Sequence, residues 1–237
     1  NPLKLLQLES KNPIRKSGEV RWFQEPKRDE IYVISLDPAL GTGGDYAAIE
    51  VFEARTTTQI AEWKHNKTEI PQQIKLLADI NKYIVECTGE PNNLYYSLEN
   101  NTLGEAALIS LNEYGESNIP GTFISEPGKK RKGFNTTHKV KLTACAKFKS
   151  LLESKKMTLY SRSLISELKT FVALGGSYAA KVGEHDDLVM ALVIFAWVAT
   201  QQYFKEIVNH DIRKQIQLEN MNQMDENMLP APIIEDG

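Results

Sequence analysis

The chain has 237 residues, 41% of them hydrophobic and 25% charged, enough to bury one sizeable core and unlike a disordered, collagenous or membrane-embedded composition. A formal charge of −3 excludes a uniformly basic nucleic-acid binder, and two cysteines, Cys87 and Cys145, without CxxC or Cys/His spacing exclude a disulfide framework and a structural zinc site and point to a reducing compartment. The charge is segregated, however: between Lys129 and Lys156 ten Lys or Arg stand against one acid, Glu153, so this stretch carries +9 and the rest of the chain −12.

The sequence opens Asn-Pro-Leu-Lys with no Met, signal peptide or lipidation motif, and reads as a piece of a longer protein. Residues 1–30 are polar, broken by Pro2, Pro13 and Pro26 and without a sustained period, the pattern of a linker or arm. Ile31–Leu36 is a β-rich run ending at Asp37; a turn with Gly41, Gly43 and Gly44 leads to Ala47–Phe52, and Gln59–Lys64 makes a third strand, together an antiparallel meander. Ile70, Ile74, Leu77, Ile80 and Ile84 recur at helical spacing, with Pro71 in the first turn and Gly89 as the stop.

The pattern then changes to βαβα: a strand at Leu94–Leu98 ending at Glu99, a helix over Leu103–Tyr114 closed by Gly115, a strand at Thr122–Ser125, and a basic loop. A helix over Lys139–Ser154, a strand at Met157–Tyr160 and a helix over Ser163–Leu174 follow. Leu188–Ala199 has no polar side chain beyond the Trp197 indole; twelve residues are too few to cross a bilayer, so this is a central helix packed on the sheet and covered by another layer. From about Asn209 the chain is an acidic tail rich in Asn, Gln and Met, too poor in apolar residues for its own core. The domain plan is an arm (1–30), an α/β domain (31–208) and a tail (209–237).

Three acids sit at element boundaries and not on polar faces: Asp37 ends a strand, Glu99 ends another, and Asp186 opens the apolar helix. Carboxylates converging there repel unless a cation neutralises them, and oxygen-only ligands fit Mg²⁺ or Mn²⁺. Two such ions roughly 3.5–4 Å apart hydrolyse phosphodiesters. The plainer readings are a turn for Asp37 and an N-cap for Asp186, although Glu neither caps nor turns well and Asp186 and Asp187 cannot both be the cap; Asp186 is favoured as ligand, with Asp187 left open. His185 beside them either bonds a ligating carboxylate or makes a local hydrogen bond. The Gly41–Asp45 loop is either a close-approach loop in which Asp45 supports a metal site or a hairpin turn, and no Walker A loop exists anywhere, so no nucleotide is expected. Lys129, Lys130, Arg131, Lys132, Lys139 and Lys141 form the leading edge of a phosphate-backbone track.

Strand-Asp37 with GTGGDYAAIEVF, then YYSLENNTLG, then GEHDDLVMALVIFAWV, resembles the C-terminal nuclease domain of the large terminase subunit of tailed bacteriophages, especially the T-even type, over about Tyr32 to Val208. The resemblance implies an RNase H-like α/β fold: a mixed central sheet, antiparallel meander followed by βαβα, helices on both faces. It also implies a metal-dependent endonuclease cutting concatemeric double-stranded DNA at the start and end of capsid filling. Asp37 would bridge two metal ions, Glu99 and the first acid of His185-Asp186-Asp187 would each hold one, and Asp45 would support them.

The expected reaction is in-line attack of water on a phosphodiester, leaving a 3′-hydroxyl and a 5′-phosphate, with little base preference. Expected partners are duplex DNA, an N-terminal ATPase domain of the same chain, the portal or capsid and the small terminase subunit, in the host cytoplasm at the procapsid, with no membrane. The rivals are an actin-like or sugar-kinase ATPase, which needs a second Asp-x-Gly phosphate loop and about twice this length, and a noncatalytic docking module.

Overall fold

In a computed structural model, which describes residues 5, 7–126, 128, 132–202, 204–209 and 213, the chain forms two compact units, Asn1–Thr200 and Gln201–Gly237. In the second unit the described residues 202 and 204–209 are helical. The first holds nine strands and five helices among the described residues. The strands are β1 (Arg15–Ser17), β2 (Val20–Trp22), β3 (Tyr32–Asp37), β4 (Ala47–Glu53), β5 (Thr58–His65), β6 (Leu94–Leu98), β7 (Thr122–Phe123), β8 (Phe171–Leu174) and β9 (Ser177–Ala180). The helices, numbered here in chain order, are α1 (Ile70–Thr88), α2 (Thr102–Tyr114), α3 (His138–Glu153), α4 (Arg162–Thr170) and α5 (Asp187–Val198).

Seven strands make one sheet in the order β1-β2-β5-β4-β3-β6-β7. The neighbours from β1 through β3 pair antiparallel, while β3–β6 and β6–β7 are parallel, so the strands after the meander return by helical crossovers. This is the RNase H-like plan, a mixed sheet with helices on both faces.

Period-two alternation divides the sheet into two faces. Tyr32, Ile34, Leu36, Ile49, Val51, Ala61, Trp63, Tyr96 and Leu98 meet Ile74, Leu77, Ile84, Ala107 and Leu111 of α1 and α2 in one buried core. The other face receives α5, which packs on β3, β4 and β5 and is covered in turn by α3 and α4. Being enclosed on every side explains why α5 needs no polar stripe: ten of its twelve residues are buried, and Phe195 stacks on Phe52 at 4.3 Å between centroids.

Three expected elements come out differently. The arm over residues 1–30 contributes β1 and β2, which extend the sheet beyond β5; Trp22 and Val20 enter the core, and strands of three residues are too short to show a period. Met157–Tyr160 is no full strand: only Thr158 bridges, to Thr58. The helix expected through Leu174 stops at Thr170, and Phe171–Leu174 turns back at Gly175-Gly176 (φ 57° and 85°) into β9, because paired left-handed glycines fit a two-residue hairpin turn and interrupt a helix. The acidic tail, apart from residues 209 and 213, lies outside the described residues. Among the described residues no helix is long and apolar enough to cross a membrane.

Candidate metal-dependent nuclease site

Asp37 closes β3 and Glu99 follows β6, and these two strands are parallel neighbours in register at Leu36 and Leu98. Both acids therefore emerge at the same C-terminal edge, where open α/β sheets bind their ligands. By alternation Asp37 is on the α5 face with Val33 and Ser35. The chain keeps Glu99 in place after the strand ends: its N–H donates to Leu36 O (3.0 Å), and Phe134 bridges beside it.

The sequence locks Glu99 with the helix that follows. Asn101 is the N-cap of α2, its Oδ1 accepting the Leu103 and Gly104 N–H groups at 3.0 Å, while its Nδ2 donates to Glu99 Oε2 at 2.5 Å. Gly104 is required for that approach, since a Cβ there would lie 1.9 Å from Glu99 O.

Asp186 and Asp187 arrive from the other side on the first turn of α5. Asp186 holds the N-cap position without capping; its Oδ2 instead accepts the Ala180 N–H of β9 at 3.1 Å. Asp187 is buried, with Oδ2 2.8 Å from Lys64 Nζ and 3.6 Å from His185 Nδ1.

These four acids share one electrostatic environment. Burial first, then Glu99, Asp187 and Asp186, push Asp37 well above the ordinary carboxylate range. Burial also raises Glu99, against the opposing influence of Asp37, Lys141 and Asn101. The two carboxyls influence each other directly, Glu99 raising Asp37 and Asp37 lowering Glu99. Acids brought together at one edge, with Asp37 held toward its neutral form by its neighbours, form a site that a hard divalent cation would relieve by neutralising the mutual repulsion. Among the described residues no three acid, histidine or cysteine side chains already converge as a closed ligand group, so the fit rests on Asp37 and Glu99 at the shared strand edge and on the electrostatic influence of Asp186 on both.

The other expected site residues are distributed more widely. Asp45 is exposed at the end of the glycine loop, and that loop is tied down as a hairpin connection: Gly43 N donates to Asn66 O at 2.8 Å, and Gly41 packs on the Thr68 carbonyl, 2.3 Å from where a Cβ would be. His185 is exposed and meets Tyr46 edge-on at 5.0 Å. Lys129, Lys130 and Arg131 lie outside the described residues. Lys132 is exposed and paired with Glu116. Lys139 is exposed on α3; Lys141, two residues on, lies 5.4 Å over the Phe171 ring and favours the ionised form of Glu99.

Sequence reasoning missed Lys64, Glu167 and Asn101. Lys64 Nζ lies 2.6 Å from Glu167 Oε1, and the other Glu167 oxygen accepts the Val189 N–H at 3.1 Å. The Asn in ENNTLG, ahead of a helical run, was a legible cap signal; nothing local marks Lys64 or Glu167.

A mixed sheet of this order with carboxyls brought together at its parallel edge defines the RNase H-like nuclease class. The sequence model of the family described as "Terminase RNaseH-like domain" matches residues 34–196, and the chain belongs to that family. Among solved structures, the large terminase nuclease of thermophilic phage G20c with bound magnesium is similar at 20% identity and a TM-score of 0.62, covering 82% of this chain and 94% of that one. The large terminase nuclease domain of Thermus phage P74-26 is similar at 18% identity and 0.59 (81% and 92% covered), and the human cytomegalovirus terminase nuclease domain at 12% and 0.56 (86% and 95%).

Proposed function

We propose that this domain is the metal-dependent endonuclease of a DNA-packaging terminase and cuts concatemeric double-stranded DNA with little base preference. The observation that carries the reading is Asp37 and Glu99 brought together at the edge of parallel strands, with the α5 acids adding to the cost of charging Asp37. Family membership supports the reaction class, and the magnesium bound by the G20c nuclease supports the cation.

Asp37, Glu99 and Asp186 would hold divalent cations, Mg²⁺ or Mn²⁺, with Asp45 and His185 supporting from the rim. When bound, such cations activate the attacking water and stabilise the leaving oxygen of the phosphodiester. The protein's share is orientation. Asn101 fixes one Glu99 oxygen, the β9 backbone fixes one Asp186 oxygen, and burial at the strand edge holds Asp37 where its charge is costly unless compensated. Lys139 and Lys141 on α3, with Lys132 and the basic residues Lys129, Lys130 and Arg131, supply phosphate contacts that position the duplex without reading bases.

In this reading the domain works beside an N-terminal ATPase domain of the same chain, with the portal or capsid and the small terminase subunit as further partners, in the host cytoplasm. The domain plan is an arm whose β1–β2 hairpin joins the sheet, a nuclease body to about Val208, and a tail. Plasmid nicking with Mn²⁺ or Mg²⁺ in the absence of ATP tests it: cleavage that chelation stops is expected, and inert protein at every metal concentration overturns it.

A further inference from the structure

Register places Lys64 in line with the acid site. Asp37 pairs with Ala48 and Ala48 pairs with Lys64, so Glu99, Asp37, Ala48 and Lys64 form one row across β6, β3, β4 and β5 on the α5 face. Ala48, between Asp37 and Lys64 in that row, presents only a methyl group. The ammonium lies 4.4 Å over the Tyr46 ring and ends between Glu167 (2.6 Å) and Asp187 (2.8 Å), with its side chain 16% exposed.

The two acids it bridges belong to different helices. Glu167 sits on α4 and holds the Val189 N–H in the first turn of α5; Asp187 is the first residue of α5. Lys64 thus joins β5, α4 and the start of α5 at one point. Asp187 is committed to that cation, whereas among the described residues no cationic side chain pairs with Asp186, whose carboxylate is held by the Ala180 N–H.

We propose that Lys64 is a positioning residue: by clamping Glu167 and Asp187 it sets the first turn of α5 so that Asp186, and not Asp187, is the carboxylate presented to a divalent cation alongside Asp37 and Glu99. This inference rests on the nuclease reading and adds to it the device that selects between two adjacent acids. Charge selection follows from simple electrostatics, because a carboxylate already ion-paired with an ammonium at 2.8 Å competes less well for a second cation than one held only by a backbone N–H. Geometry follows from the contacts, because the clamp fixes helix backbone as well as side chain.

The test is Mn²⁺ binding to metal-free protein without DNA, followed by electron paramagnetic resonance, with circular dichroism to verify folding. Lys64→Met, which keeps the stem and removes the charge, is expected to weaken Mn²⁺ binding about tenfold to a hundredfold, the usual effect of losing a group that orients a ligand. Lys64→Arg is expected to recover most of it. Glu167→Gln has a single carbonyl oxygen and cannot serve both Lys64 and Val189, so it is expected to weaken binding in the same direction by less; it decides the matter if Lys64→Met does not fold. Folded Lys64→Met, or failing that Glu167→Gln, with wild-type Mn²⁺ affinity overturns the proposal. Wild-type protein that never nicks plasmid counts against the nuclease reading, whereas wild type that nicks beside an unaffected Lys64→Met counts against Lys64 alone.

Discussion

Asn101 does two jobs for Glu99: its amide nitrogen donates to Glu99 Oε2 at 2.5 Å while its carbonyl oxygen caps α2, so the helix that starts after the acid also aims it. The two roles separate by mutation. Asn101→Ala is expected to cost about 1 kcal/mol as a lost cap and to weaken metal-dependent cleavage about tenfold or more as a lost orienting bond. Asn101→Asp keeps the cap but replaces the orienting donor with a second carboxylate against Glu99, so it is expected to retain the helix start, lose stability through that repulsion, and cut poorly. Urea denaturation and plasmid nicking measure the two effects; equal activity in wild type and Asn101→Asp would leave Asn101 a cap only.

Asp37 is an acid whose ionisation the protein opposes, through desolvation and three neighbouring carboxylates. Asp37→Asn removes that repulsion while keeping the shape. Its melting temperature is expected to rise, and its cleavage to fall to that of a chelated control. A variant that unfolds would mean the carboxyl is structural, and one that cuts normally would remove Asp37 from the site.

The same α5 face carries a second buried acid away from the metal edge. Glu50 pairs across the strands with Glu62, is fully buried, and keeps one oxygen without a partner while the other accepts from Gln59 at 2.8 Å. Burial, and then Glu62, push it well above its ordinary value of 4.5. A carboxyl that holds its proton more tightly in the folded state than in the unfolded state stabilises fully below the unfolded value, and that stability drains away as pH rises toward the folded one. Glu50→Gln should therefore match wild type below pH 4.5 and exceed it in stability at neutral pH. Denaturant midpoints measured across pH test this; parallel curves would show that Glu50 titrates normally.

What the sequence discloses here is local. Asp37 and Glu99 end β-rich runs, α1 has its Gly89 stop, and α5 is too apolar to be anything but enclosed; each signal lies within a dozen residues of chain, and each element appears in the fold within a residue or two of where its pattern places it. Lys64 and Glu167 are illegible for the opposite reason. They are 103 residues apart, and only the register of β5 and the docking of α4 bring them together. The β8–β9 hairpin falls between these cases: GG between alternating runs is a hairpin signal, but Ser163–Leu174 also satisfies a helical period, and pairing energy decides. The Asp186–Asp187 ambiguity is similar, since an all-apolar helix has no face to orient its first turn and the distinguishing partners, Ala180 and Lys64, are tertiary.

Two lysines on α3 separate DNA contact from site tuning. Lys139 is exposed on the first turn, and Lys141 is half-buried, lies against Phe171 and favours the charged form of Glu99. If each touches one phosphate, Lys139→Gln and Lys141→Gln should each flatten the slope of log affinity against log salt by about 0.9, equally for unrelated duplexes. Only Lys141→Gln should also change the metal requirement: without its charge Glu99 holds its proton more strongly, so a cation must displace a tighter proton, and half-maximal cleavage should move to higher Mn²⁺, with the gap from wild type closing as pH rises. Fluorescence anisotropy across a NaCl series gives the slopes, and nicking across Mn²⁺ concentrations at two pH values gives the second effect. A metal requirement unchanged in Lys141→Gln would confine that lysine to the DNA backbone.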